Sequence, residues 1–144
     1  MHPLALAIMG SGVGIVTVSG EDVEATASFP QNAIAIIRFN QNGTVDKVVN
    51  GVSEQVDAAT DWIIPNSKAP GNYQIRYTNH SGTPLTSAPG NEDEWVALSD
   101  GDAAYRLVQA LGGSAAASFT IEIRRGGSGS AIASGSYSLS ATVS

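Results

Sequence analysis

The sequence predicts an all-β fold, a β-sandwich of about eight strands, and three observations predict it. Apolar and polar residues alternate along several short segments, turn signals recur every 10–15 residues or so, and no stretch carries the 3.6-residue period of a long amphipathic helix. The clearest alternation lies near the C-terminus. Phe119, Ile121 and Ile123 alternate with Thr120, Glu122 and Arg124; after a glycine-serine turn, Tyr137, Leu139, Ala141 and Val143 alternate with Ser138, Ser140 and Thr142. Period-two alternation gives one buried and one wet face. A lone hairpin is marginal in water, so this one needs a second sheet to cover its apolar face.

The earlier segments supply that sheet. Residues 1–12 read as an N-terminal arm and 13–144 as the sandwich domain. The arm is apolar, with Leu4, Leu6, Ile8 and Met9. It lacks the basic n-region and cleavage site of a secretory signal, and is expected to dock on the domain or on a neighbouring subunit. Val13–Val18 is β-branched between glycines and predicts a first strand, followed by an acidic turn at Glu21–Glu24. Ala33–Phe39 is apolar at nearly every position, as in a central strand. Asn42-Gly43 then predicts a hairpin to Thr44–Val49, and Asn50-Gly51 a second one to Val52–Val56. Trp62-Ile63-Ile64-Pro65 precedes a Pro/Gly loop. Tyr73–Thr78 alternates, with Tyr73, Ile75 and Tyr77 on one face; residues 79–93 read as a long loop; Glu94–Leu98 and Ala103–Gln109 are further strands; Leu111–Ala117 reads as a small-residue connector.

Composition narrows the function classes. The 144 residues suffice for one domain, and only 14% are charged, against about 25% in an average soluble domain. Such a sparsely charged exterior suits a subunit covered in an assembly, as well as a small β domain. Thirteen acids against seven bases, a net charge of −6, argue against a nucleic-acid binder. After Asp102 the sole acid is Glu122, beside Arg106, Arg124 and Arg125, so the final hairpin is mildly basic and the rest acidic. That division would suit head-to-tail contacts between subunits, although a solvated face is the plainer reading. There is no cysteine, hence no disulfide framework and no thiolate metal site. No apolar run approaches the roughly 18 residues of a membrane span.

Taken in order, Ile36-Ile-Arg-Phe-Asn-Gln-Asn-Gly-Thr-Val45, Trp62-Ile-Ile-Pro65, Gly71-Asn-Tyr-Gln-Ile-Arg-Tyr-Thr78, Glu94-Trp-Val-Ala-Leu-Ser99 and the final hairpin resemble a group of small structural proteins of tailed bacteriophages and prophages. The resemblance covers about residues 34–143. It implies an immunoglobulin-like antiparallel sandwich in a non-enzymatic virion protein, made in the host cytoplasm and assembled into the particle. Its partners would be copies of itself and other virion proteins. A tail-associated position, at the tail tip or fibre base, is the expectation; a capsid decoration protein is the nearest alternative. A carbohydrate- or receptor-binding module, taking a host-surface glycan on Trp62, Trp95, Tyr73 or Tyr77, is the second.

Five residues are expected to anchor the core: Trp62, Tyr73, Trp95, Phe119 and Tyr137. Arg76 is placed to stack on Trp62 or Tyr105. For interaction, the candidates are Leu4, Leu6, Ile8 and Met9 of the arm and His80, Pro84, Leu85 and Pro89 of the long loop. No catalytic grouping, cofactor or metal is expected. His80-Ser81 lacks an identifiable orienting acid, so His80 reads as an exposed loop histidine. Asp100-Gly101-Asp102 near Glu92–Glu94 lacks the ligand spacing of an EF-hand loop and reads as an acidic turn. Asp61 reads as a turn or cap residue, and no phosphate-binding loop is present.

Overall fold

A computed structural model describes residues 16–40, 44–57, 73–98, 103–126 and 129–144. The described residues form nine strands and no helix: β1 (Val16–Ala27), β2 (Ala33–Phe39), β3 (Val45–Val49), β4 (Val52–Asp57), β5 (Tyr73–Gly82), β6 (Val96–Ala97), β7 (Ala103–Gln109), β8 (Gly113–Arg125) and β9 (Ala131–Val143). They make a five-stranded sheet in the order β1-β9-β8-β5-β6 and a four-stranded sheet in the order β4-β3-β2-β7. Strand β2 pairs with β7 in one sheet and β5 with β8 in the other. These are the crossovers that link strands B with E and C with F in an immunoglobulin-like sandwich. The β3–β4 hairpin takes the flank of β2.

Three local expectations are corrected. The acidic stretch Glu21–Glu24 is strand rather than turn. Val23 and Ala25 point into the core at 1% exposure each, and the acids sit between and before them. Asp22 and Glu24 marked the wet face of a strand, whereas Glu21 lies on the side of Val23 and reaches Lys47 of the other sheet at 3.5 Å. The turn comes only at residues 28–32. Strand β1 also runs parallel to β9, one parallel pair in an otherwise antiparallel structure. Residues 113–117, expected as a connector, are the first third of β8, with Ala115 and Ala117 turned inward opposite Ala141 and Leu139. Small side chains there are an accommodation to close packing, not a sign of a loop.

The two sheets meet on a single core. Ala33, Ala35, Ile37 and Phe39 of β2 and Tyr105 and Leu107 of β7 face Ile75 of β5, Phe119, Ile121 and Ile123 of β8 and Tyr137, Leu139 and Ala141 of β9. At its centre Phe39 makes edge contacts with Tyr105 and Tyr137, at ring centroid distances of 6.1 and 5.6 Å. Tyr77 stands edge-on to Tyr105 and Phe119 at 5.7 and 5.8 Å. Edge-to-face pairs add about 0.5–1.5 kcal/mol each beyond area burial, so this cluster joins the layers more strongly than its size suggests. Tyr73, Phe119 and Tyr137 are 3%, 3% and 2% exposed. Trp62 lies outside the described residues.

A bulge between Val18 and Glu21 lets β1 follow β9. It depends on Gly20, where a Cβ would stand 1.7 Å from the Ser136 carbonyl oxygen. The β3–β4 turn has Asn50 at φ 49° and Gly51 at φ 89°, the two left-handed positions that Asn-Gly was expected to supply. Asn50 also fastens β1: its Nδ2 donates to the Thr26 carbonyl at 3.0 Å, and its Oδ1 accepts from the Ile34 amide at 2.8 Å.

Candidate functional site

The strand directions fix which residues share an end of the sandwich. β1 and β9 begin, and β8 finishes, at one end; there β5 starts at Tyr73, opposite Arg125. This end carries Arg76, Arg124 and Arg125. Arg76 Nε donates to Glu122 Oε1 at 2.8 Å, and Arg124 Nε to Gln74 Oε1 at 2.7 Å. Both guanidinium groups lie 4.5 Å from the centroid of the Trp95 ring. The guanidinium of Arg125 lies 5.5 Å from the Tyr73 ring. Trp95 immediately precedes β6, whose pairing sets Ala97 opposite Gln74, so the indole comes from the sheet edge onto the outer face. Trp95 is thus half-buried under arginines and is not a core anchor, and Arg76 stacks on it rather than on Tyr105. The sequence could not show this, because an indole next to a β-branched residue reads the same whether it faces the core or an arginine row.

At the opposite end lie the β1–β2, β3–β4 and β7–β8 turns. This follows from the pairing of Ala27 with Val143, Val143 with Gly113, Ala33 with Gln109, and Val49 with Val52. The Phe29 amide donates to the Ser144 carbonyl at 3.0 Å, and Gln109 Nε2 donates to the Ala110 and Gly112 carbonyls at 2.9 and 3.0 Å. Phe29, Val52 and Leu111, 59%, 72% and 80% exposed, are the exposed large apolar residues among those described, and all three belong to this end. Sequence reasoning passed over them, since each is a single apolar residue beside a turn; they converge only when the strands are paired.

The expected interaction residues fall elsewhere. Leu4, Leu6, Ile8 and Met9 lie outside the described residues. His80 is half-buried near the end of β5, not free in a loop: its Nε2 is 2.8 Å from the Thr83 carbonyl, its amide donates to Glu92 Oε2 at 2.9 Å, and its ring meets Tyr77 edge-on. Pro84 and Pro89 are exposed, and Leu85 packs partly against the core. This β5–β6 connection is tied to β7. The Thr86 and Ser87 amides donate to the Arg106 carbonyl and the Arg106 amide donates back to Ser87, so the connection covers the edge of β7.

Among the described residues, the remaining polar side chains pair locally. Asp93 Oδ1 accepts from Thr78 Oγ1 at 2.5 Å and Glu94 Oε1 from the Asn91 amide at 2.8 Å. Arg38 pairs with Asp46 at 3.0 Å, and Lys47 with Glu21 at 3.5 Å. No group of three potential metal ligands occurs among the described residues; Asp61, Asp100 and Asp102 lie outside them. Burial, with Tyr77 nearby, pushes the Tyr105 hydroxyl far above the ordinary phenol range. Burial, Glu92 and Asp93 push Tyr77 up as well. A shallow trough on the outer face of the five-stranded sheet is lined by Gly20, Asp22, Ser118, Thr120, Ser136 and Ser138, with Ser138 Oγ donating to Asp22 Oδ1 at 2.6 Å. No described helix is long and apolar enough to cross a membrane.

No protein-family model matches the chain, and no curated protein matches it. Among solved structures, a family 123 glycoside hydrolase from Clostridium perfringens, studied for glycolipid glycan hydrolysis, is 11% identical, with a TM-score of 0.19. That likeness covers 92% of this chain but 24% of the enzyme's, and is too low to bear on fold or activity.

Proposed function

We propose that this chain is a non-enzymatic structural protein of a tailed-bacteriophage virion. It works by packing against other virion proteins and copies of itself through its arm, turns and strand edges. A tail-associated position is preferred, with capsid decoration as the alternative. One observation supports this above others: the exposed large apolar side chains Phe29, Val52 and Leu111 gather at one end of the sandwich. Exposed apolar side chains at the same end of a sandwich are available for a partner to cover. The described candidates give little support to a glycan platform, because Tyr73 is buried, Tyr77 packs against Tyr105 and Phe119, and the Trp95 ring is already stacked with Arg76 and Arg124. Mass spectrometry of purified particles tests the proposal. Stoichiometric recovery of the chain with the tail or capsid proteins is expected; its absence from intact particles would overturn the proposal.

A further inference from the structure

We propose that Asn50-Gly51 is a self-modification site, at which deamidation cuts a tie between the two sheets and frees the end of β1. The proposal stands apart from the virion reading and does not depend on it. Three hydrogen bonds hold Asn50. Its amide donates to the Ile34 carbonyl at 2.9 Å, its Oδ1 accepts from the Ile34 amide at 2.8 Å, and its Nδ2 donates to the Thr26 carbonyl at 3.0 Å. The first two stay within the four-stranded sheet, because Ile34 belongs to β2. The third crosses to the five-stranded sheet, because Thr26 belongs to β1. Strand β1 is an edge strand, paired within its sheet by β9 alone, so a contact from the facing sheet adds to its hold.

The same two residues carry the reactive chemistry that makes asparagine thermolabile. Hydroxide takes the Gly51 amide proton, and the nitrogen attacks Cγ of Asn50. A C–N bond forms, the Cγ–Nδ2 bond breaks, and the departing nitrogen takes a proton from water and leaves as ammonia, returning the hydroxide. Water then opens the five-membered imide at either carbonyl, giving aspartate or isoaspartate; nothing is oxidised or reduced. A glycine has no side chain to shield its nitrogen, and nothing lies within 4 Å of the Gly51 Cβ position. Both residues are exposed, so hydroxide and water reach them.

The fold acts on this chemistry before and after the reaction. Ring closure brings Cγ to bonding distance of the Gly51 nitrogen. The two ends of the carboxamide are fixed to different strands, so both of their hydrogen bonds open first, and the native structure slows the reaction. Afterwards the tie cannot re-form. The donor Nδ2 has become a carboxylate oxygen facing the Thr26 carbonyl, two acceptors with no proton between them. Isoaspartate also adds a methylene to the main chain of a two-residue turn closed by the pairing of Val49 with Val52. Asn50 is thus a one-way release, tripped by local opening.

The test ages the full chain at mildly alkaline pH, folded in sodium chloride and unfolded in guanidinium chloride of equal ionic strength. Tandem mass spectrometry locates each asparagine converted. Asn50 should convert about tenfold or more slowly in the folded chain, the factor expected when two hydrogen bonds of ordinary net strength must open. Equal rates would overturn the inference. Asn50→Asp, the product of one ring opening, should melt roughly 3–10 °C below wild type. It should also exchange hydrogen faster at the Phe29 and Ser144 amides, which close the end of β1 through the Ser144 and Ala27 carbonyls. Unchanged melting and exchange would refute the release. The converted fraction of aged wild type makes the same comparison without a substitution: faster exchange at those amides supports the release, and exchange like that of the unconverted chain counts against it. Gly51→Ala shields the attacking nitrogen, so it should convert more slowly and keep its exchange pattern on ageing. Loosening of β1 in aged Gly51→Ala without conversion at Asn50 would show another cause and overturn the assignment.

Discussion

Replacing Gly20 with alanine tests how β1 is held. The added Cβ would sit 1.7 Å from the Ser136 carbonyl oxygen and 2.8 Å from its carbon. Ordinary van der Waals contact there needs more than 3 Å, so the backbones must part by over 1 Å. Backbone atoms cannot swing aside as a flexible side chain would. Strand β1 must therefore loosen from β9 around the bulge, next to Val23 and Ala25, which are 1% exposed. Overpacking of this kind costs about 1–3 kcal/mol, occasionally more, and a backbone clash belongs at the upper end, about 3 kcal/mol. For a domain of this size that lowers Tm by roughly 6–12 °C. Gly51→Ala is the control. Nothing lies within 4 Å of its Cβ position, but φ is 89°, so only the backbone penalty of about 1 kcal/mol applies. Guanidinium chloride unfolding of both variants, with unchanged m-values, gives the comparison. A Gly20→Ala protein within 0.5 kcal/mol of wild type, or one less affected than Gly51→Ala, would refute the reasoning.

Other predictions follow from the same packing. Trp95→Ala should cost about 1–2 kcal/mol, from two cation–π contacts worth about 0.5–1 kcal/mol each, and a double-mutant cycle with Arg76→Met should show coupling of the same sign. Phe39→Ala removes the ring that contacts both Tyr105 and Tyr137, and should cost about 3–5 kcal/mol in chemical denaturation. Stability should fall as pH rises above about 10, the ordinary phenol pKa. The folded Tyr105 hydroxyl has its pKa raised by burial, so its contribution is whole below the unfolded value and is lost as the unfolded phenol ionises. Tyr105→Phe should flatten that decline in pH-dependent unfolding; an equally steep decline would show that other groups cause it.

Much of this architecture was written locally. The runs Ala33–Phe39, Ala103–Gln109 and Phe119–Ile123 declared their inner faces by alternation or continuous apolarity, and Asn50-Gly51 declared its turn by residue type. Where local cues misled, the reason was a competing chemistry. Acids at 21–24 imitate a turn, the Gly-Ser-Ala-Ala-Ala run at 113–117 imitates a linker, and Trp95 imitates a core residue.

By itself, then, the sequence determined the two-layer β class, most strand positions, both left-handed turn residues and the uneven charge of the final hairpin, because these depend on side-chain period and on φ preferences within a few residues. Tertiary structure alone decided that β1 runs parallel to β9, that Trp95 lies under Arg76 and Arg124, and that Phe29, Val52 and Leu111 share one end. Those facts depend on which strands become neighbours. Pairing joins residues as far apart in the chain as Phe29 and Ser144, and no local pattern encodes that separation.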